Sequence, residues 1–104
     1  MIITMSTLSS IAPSGMHAAQ MRLDSAAHNI ANLGTQGFHS QGVALSEAPG
    51  QGGVQAQVTR STTEGVSLER NIVESLSASY AFKANALVIK NGNATIGSLL
   101  DTFA

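Results

Sequence analysis

The sequence predicts a mainly α-helical fold with a small β-hairpin, in which two long antiparallel helices pack in a coiled-coil-like manner. Three observations predict this fold. Apolar residues recur at helical spacing in the N-terminal third and again in the C-terminal third. The centre instead shows strand-like alternation on both sides of a glycine-rich turn. The length of 104 residues fits a single domain, residues 1–104.

The first helix is predicted over residues 13–33. Its apolar positions alternate steps of three and four, as in an a/d seam, and Arg22 falls off this seam. The members of the predicted helix-pairing seam on this helix are Met16, Ala19, Leu23, Ala26 and Ile30. Pro13 suits the first turn of a helix and therefore marks the predicted start of this helix. Residues 5–12 are therefore either a further turn across a kink or a loose lead-in.

The end of the first helix is rich in amides and glycines. Gly34 and Gly37 are expected to end the helix, and Asn32 and Gly34 both tolerate left-handed backbone geometry. Asn29 and Asn32 have two interpretations. They either cap the last carbonyl groups or bridge to a neighbouring subunit, or else they only form a local turn.

The central segment is predicted to be a β-hairpin, with residues 38–47 paired to residues 53–61. The segment Pro49–Gly53, which reads PGQGG, supplies the turn. A lone hairpin is marginally stable in water, so we expect it to pack against another part of the chain.

The second helix is predicted over residues 67–103, with Ser67 as N-cap. It carries two apolar seams on different faces. The first completes the helix-pairing seam and comprises Ile72, Leu76, Tyr80, Ala84 and Leu87. The second is the predicted assembly interface and comprises Phe82, Asn85, Ile89, Ile96, Leu100 and Phe103. The segment Asn91–Asn93 is a weak point, where the helix either continues or bends back to form a more compact fold.

Composition excludes several classes of protein. The net charge is −1 with 5 lysines and arginines, so no basic stripe is available to follow a nucleic-acid backbone. No apolar run approaches the roughly 18 residues that a membrane span needs, and the N-terminus lacks a basic region typical of a signal peptide. There is no cysteine, which excludes disulfides and thiolate chemistry.

No catalytic, cofactor-binding or metal-binding residues are predicted. His17 and His28 share a helix face but would lie about 16 Å apart along the axis, too far to hold one metal ion. The glycines near residue 50 are not followed by the lysine of a phosphate-binding loop. We therefore expect no enzyme activity and no cofactor.

Two stretches carry a family resemblance. The run from Ser14 to Phe38 reads SGMHAAQMRLDSAAHNIANLGTQGF, and the run from Tyr80 to Lys90 reads YAFKANALVIK, followed at Gly97–Asp101 by GSLLD. Together they resemble the N- and C-terminal signatures of bacterial flagellar rod and hook proteins. In that family the two terminal helices pair and stack into the inner tube of the axial structure. The centre of this chain is much shorter than the family's outer domains.

The resemblance implies a structural axial subunit of the flagellum that assembles through its terminal helices. Its partners would be further copies or other axial proteins, and its place the periplasmic rod region of the basal body. It would be exported without a cleaved signal peptide. The chain is then a rod component proper, a reduced relative or a basal-body accessory. The alternative is a small adaptor or chaperone-like protein that binds rod or hook subunits by mimicking their terminal helices.

Overall fold

The protein folds as two long helices joined by a two-stranded hairpin. The computed structural model describes residues 5–50 and 52–103, and the side chains of residues 10–50 and 52–101. Helix α1 spans Met5–Ala31, strand β1 Gln41–Glu47, strand β2 Val54–Arg60 and helix α2 Leu68–Phe103. The helices pack antiparallel and the hairpin lies against α1, in a molecule of 63 × 25 × 14 Å. This confirms the predicted fold class.

Helix α1 is continuous through Pro13, so the helix does not begin at this residue as predicted; of the two alternatives for residues 5–12, the structure has the further helical turn. Proline removes one backbone donor from a helix interior, and here its side chain lies exposed at the surface. The adjoining turn is held by the rest of the fold. Ser14 Oγ donates to the carbonyl oxygen of Ile11 at 2.6 Å and accepts a hydrogen bond from the backbone N–H of Val54 at 3.1 Å.

Helix α2 runs without a break through Asn91–Asn93, so the more compact fold with a bent second helix is wrong. Its predicted N-cap is confirmed, because Ser67 Oγ accepts a hydrogen bond from the backbone N–H of Arg70 at 3.3 Å. A helix of 36 residues is about 54 Å long.

The hairpin pairs Gln41 with Arg60 at one end and Glu47 with Val54 at the other, within the predicted limits. The turn is closed by a hydrogen bond from the backbone N–H of Ala48 to the carbonyl oxygen of Gly53 at 3.1 Å. Three glycines in this turn, at positions 50, 52 and 53, have φ values of 94°, 89° and 97°. A side chain would be strained at each of these positions.

Small residues form the contact between the two helices. The buried apolar residues among those described are all alanines: Ala12, Ala18, Ala19, Ala26 and Ala78. Gly15 lies so close to α2 that a Cβ atom added to it would stand 2.6 Å from Oδ1 of Asn85. Side chains without bulk let the helix backbones approach closely, and this determines which face of each helix points inward.

The predicted pairing seam is therefore right only in part. On α1, Ala19 and Ala26 are buried, whereas Met16, Leu23 and Ile30 are half-buried. On α2 the prediction is wrong, because its members Ile72, Leu76, Tyr80, Ala84 and Leu87 are all exposed. Leu76 and Tyr80 retain 55% and 68% of their accessible surface. The inward face of α2 instead carries the buried residues Asn71 and Ala78, and Asn85 opposite Gly15.

The residues predicted to form the assembly interface are divided by the structure. Asn85 faces Gly15 inside the chain, so its assignment to the interface is wrong. Phe82 and Ile89 lie on the same face of α2, at helical spacing from Asn85, and are half-buried. Ile96 and Leu100 are exposed near the end of the helix. The side chain of Phe103 lies outside those that the structure describes.

Arg22 forms a polar link between the helices, although the sequence pattern places it off the seam. Its Nε donates to Oε1 of Glu74 at 2.6 Å, and its Nη2 donates to Oγ of Ser77 at 3.0 Å. The Arg22 side chain is 17% exposed and that of Glu74 is 44% exposed. Solvent therefore screens this ion pair in part.

Replacing Arg22 with alanine should lower the free energy of unfolding by about 1 kcal/mol, because two hydrogen bonds between the helices are lost at a partly screened site. The matched control is Gln20→Ala, which removes only an exposed contact to Asp24 within α1 and should change stability by less than about 0.5 kcal/mol. Urea unfolding followed by circular dichroism measures both. Equal effects would contradict a link between the helices through Arg22.

Candidate functional site

The junction between α1 and the hairpin is organised around one buried amide. Asn29 is 2% exposed and is the largest fully buried side chain among the described residues. Its Nδ2 donates to the carbonyl oxygen of Gln41 at 2.8 Å and to Oδ1 of Asn71 at 2.8 Å. Its Oδ1 accepts a hydrogen bond from the backbone N–H of Gln41 at 2.7 Å. The side chain of Asn29, on α1, is thus hydrogen-bonded to both β1 and α2.

The same network continues to the start of α2. Nδ2 of Asn71, itself buried, donates to the carbonyl oxygen of Ser67 at 2.7 Å. Ser67 is also the N-cap of α2. The first turn of α2 is therefore held in register with the last turns of α1 by side chains that are fully hydrogen-bonded, as buried amides must be.

The structure thus gives Asn29 and Asn32 different roles. Asn29 is a junction residue inside one chain, and neither a cap nor a bridge to a second subunit. Asn32 forms the local turn: its Nδ2 donates to the carbonyl oxygen of His28 at 2.8 Å. Oγ1 of Thr35 donates to Oδ1 of Asn32 at 3.2 Å.

The chain then leaves the helix through a glycine. Gly37 has a φ of 76°, whereas the predicted left-handed positions, Asn32 and Gly34, do not have positive φ values. The ring of Phe38 packs against that of His28, with centroids 5.4 Å apart. The segment Asn29–Phe38 therefore sets the direction in which the chain passes from α1 into the hairpin.

A second surface feature lies on α2, on the side turned away from α1. We call it the outer face of α2, and it consists of the exposed apolar residues Ile72, Val73, Leu76, Tyr80 and Leu87. Glu69 lies at its N-terminal end, and Lys83 and Lys90 lie towards its C-terminal end, all exposed. None of these three charged side chains has an ion-pair partner among the described side chains, residues 10–50 and 52–101.

The histidines of the chain make separate contacts. The three histidines are separate: His17 is exposed, His28 packs on Phe38, and Nδ1 of His39 lies 3.0 Å from the carbonyl oxygen of Ser61. No group of acidic or histidine side chains among the described residues could hold a metal ion. No described helix is long and apolar enough to cross a bilayer.

A polar cleft of about 640 Å³ opens at the base of the hairpin. Its walls include the exposed side chains of Arg60, Glu64 and Arg70 and the amides of Asn29 and Asn71. Both amides are engaged in the junction network, and no buried side-chain polar atom in the described residues lacks a hydrogen-bond partner. The cleft therefore presents no unsatisfied buried group to a ligand.

Comparison with known proteins adds no relative. The chain matches no protein-family model, and a search among curated proteins finds no match. The sequence signatures and the distribution of apolar surface are therefore the features that bear on function.

Proposed function

We propose that this protein is a non-enzymatic structural subunit of the bacterial flagellar axial structure, of the rod or hook type, which assembles through its helices. It would act in the periplasmic rod region of the basal body and be exported without a cleaved signal peptide. Its partners would be further copies or other axial proteins.

The observation that supports the proposal is where the apolar side chains lie: the small ones are buried and many of the large ones are exposed. Among the side chains that the structure describes, the buried apolar residues are alanines, whereas thirteen large apolar side chains are exposed, ten of them on α2. A large contiguous apolar surface on a soluble protein is typical of a contact with another molecule. Burying one such side chain contributes roughly 1.5–3 kcal/mol, so an assembly would supply the apolar burial that the single chain lacks.

The rod-like signature supports the same proposal, because its residues serve architecture. Asn29 holds the junction, Asn32 and Thr35 form the turn, and Gly37 provides the positive φ. Gly15 permits the close contact with α2. These residues fix how the two helices pack, as expected of a structural subunit that acts by packing against its neighbours.

A substitution on the outer face should remove the protein from the flagellar basal body. In a strain that lacks the native gene, we expect the wild-type chain to be recovered with purified basal bodies. Leu76→Asp should lower its recovery by roughly tenfold or more, because a charge replaces an apolar contact of about 1.5 kcal/mol or more. Quantitative mass spectrometry of the basal bodies and of whole cells measures recovery and expression separately.

The matched control is His17→Asp, which places the same charge at an exposed position on α1 and should leave recovery unchanged. Absence of the wild-type chain from basal bodies would contradict an axial subunit. If the chain were then found in the cytoplasm bound to a rod or hook subunit, the adaptor function would replace the proposed one.

A further inference from the structure

We propose that the outer face of α2 pairs with the same face of a second copy of this chain in an antiparallel, two-fold symmetric dimer centred on Leu76. The inference goes beyond the proposed function, because it concerns the isolated protein before any other axial subunit covers this face. The apolar residues would supply the binding energy, and the charges of Glu69 and Lys83, on opposite sides of Leu76, would select the orientation.

The arrangement of apolar residues supports a helix-to-helix contact. Ile72, Leu76 and Tyr80 follow one another at four-residue spacing, and Leu87 lies seven residues beyond Tyr80. Positions related by three, four or seven residues lie on one side of a helix. These four side chains are among the exposed large apolar residues, so they form a stripe, interrupted by Lys83 between Tyr80 and Leu87, that a second helix can cover.

The charges distinguish an antiparallel from a parallel pair. Glu69 and Lys83 each lie seven residues, or about two helical turns, from Leu76 in opposite directions. In an antiparallel pair centred on Leu76, Glu69 of each copy lies level with the partner's Lys83. A parallel pair in register would instead place Glu69 beside Glu69 and Lys83 beside Lys83, and such like-charge contacts disfavour association.

A two-fold contact uses the same patch on both copies and closes on itself. It therefore leads to a dimer and not to a growing array. The dimer hides the outer face, so it must separate before this face can pack against another axial protein.

Sedimentation equilibrium on the purified full chain tests the dimer. We expect a monomer–dimer equilibrium in the wild type, a dissociation constant raised by roughly a hundredfold in Leu76→Asp, since two copies of Leu76 meet at the centre, and no change in His17→Asp. Lys83→Glu should raise the constant by about tenfold, and the double variant Glu69→Lys with Lys83→Glu should restore it to within about threefold. Failure of this rescue would overturn the proposed orientation.

Cross-linking tests the geometry independently, because the chain has no native cysteine. Leu76→Cys should form a disulfide-linked dimer on mild oxidation. Glu69→Cys should not, because antiparallel pairing holds the two copies of residue 69 about 21 Å apart along the axis, beyond the reach of a disulfide. Cross-linking of Glu69→Cys, or a monomeric wild type at high micromolar concentration, would overturn the proposal. A monomer that still enters basal bodies would leave the proposed function intact.

Discussion

Asn29→Leu should lower the free energy of unfolding by about 3–5 kcal/mol, the largest loss that we expect from a single polar substitution in this chain. Leucine has nearly the same size but cannot hydrogen-bond. The substitution leaves the backbone N–H and C=O of Gln41 and the side-chain oxygen of Asn71 without their present partner. Each buried group left unpaired costs about 1–3 kcal/mol, and a chain of this size has little reserve.

The control for this prediction is Asn32→Leu, three residues further along. Asn32 bonds only within its own turn, at the exposed end of α1, so the loss should be about 1 kcal/mol or less. Urea unfolding measures both variants. Native-state hydrogen exchange adds a local readout, because the backbone amide of Gln41 should lose its protection in Asn29→Leu and keep it in Asn32→Leu. Equal losses of stability would contradict the role of Asn29 as the junction residue.

Gly15→Leu should lower the free energy of unfolding by about 3 kcal/mol, because leucine at this position would have to displace the side chain of Asn85. Even a Cβ atom would stand 2.6 to 2.8 Å from three atoms of the Asn85 side chain, and overpacking of this kind typically costs about 1–3 kcal/mol or more. The gain of up to about 1 kcal/mol from replacing a helical glycine does not offset it.

Gly97→Leu is the matched control for this second prediction. Gly97 also lies inside a helix, but no described atom lies within 4 Å of the position of its Cβ, so stability should stay the same or rise. Adding Asn85→Ala to Gly15→Leu should recover at least about 1 kcal/mol, since contacting residues couple by about 0.5–3 kcal/mol. Thermal or urea unfolding of the wild type and the three variants measures this. A Gly15→Leu variant as stable as Gly97→Leu would disprove the close approach.

Much of the fold could be predicted from local sequence. Helical spacing of apolar residues located both helices, and the glycine-rich turn between two alternating segments located the hairpin. Ser67 was identified as the N-cap from its residue type alone, because capping depends on neighbours within three residues. The continuity of the helices is less accessible to sequence analysis. The turn beside Pro13 is held by hydrogen bonds of Ser14, one of them to Val54 40 residues away, and α2 continues through Asn91–Asn93 although these residues favour a break.

The candidate site was harder to predict. The expectation that large apolar residues point inward placed Leu76 and Tyr80 in the helix contact, where the structure has Ala78 and Asn85. One signal was available: glycine and alanine recur at Gly15, Ala19 and Ala26, and small residues at such spacing permit close packing. Asn29 stood out in the rod-like signature, but its partners lie 12 and 42 residues away, so no local pattern could reveal them.

The sequence by itself determined the elements, their order and their antiparallel pairing, because these depend on the periodicity and turn chemistry of neighbouring residues. Only the tertiary structure decided which face of α2 meets α1 and which remains free. Both faces carry apolar residues at helical spacing, so periodicity alone does not separate them. The choice depends on contacts between residues distant in sequence, such as that of Gly15 with Asn85 and that of Asn29 with Asn71, which turn Ala78 inward and leave Leu76 and Tyr80 on the outer face.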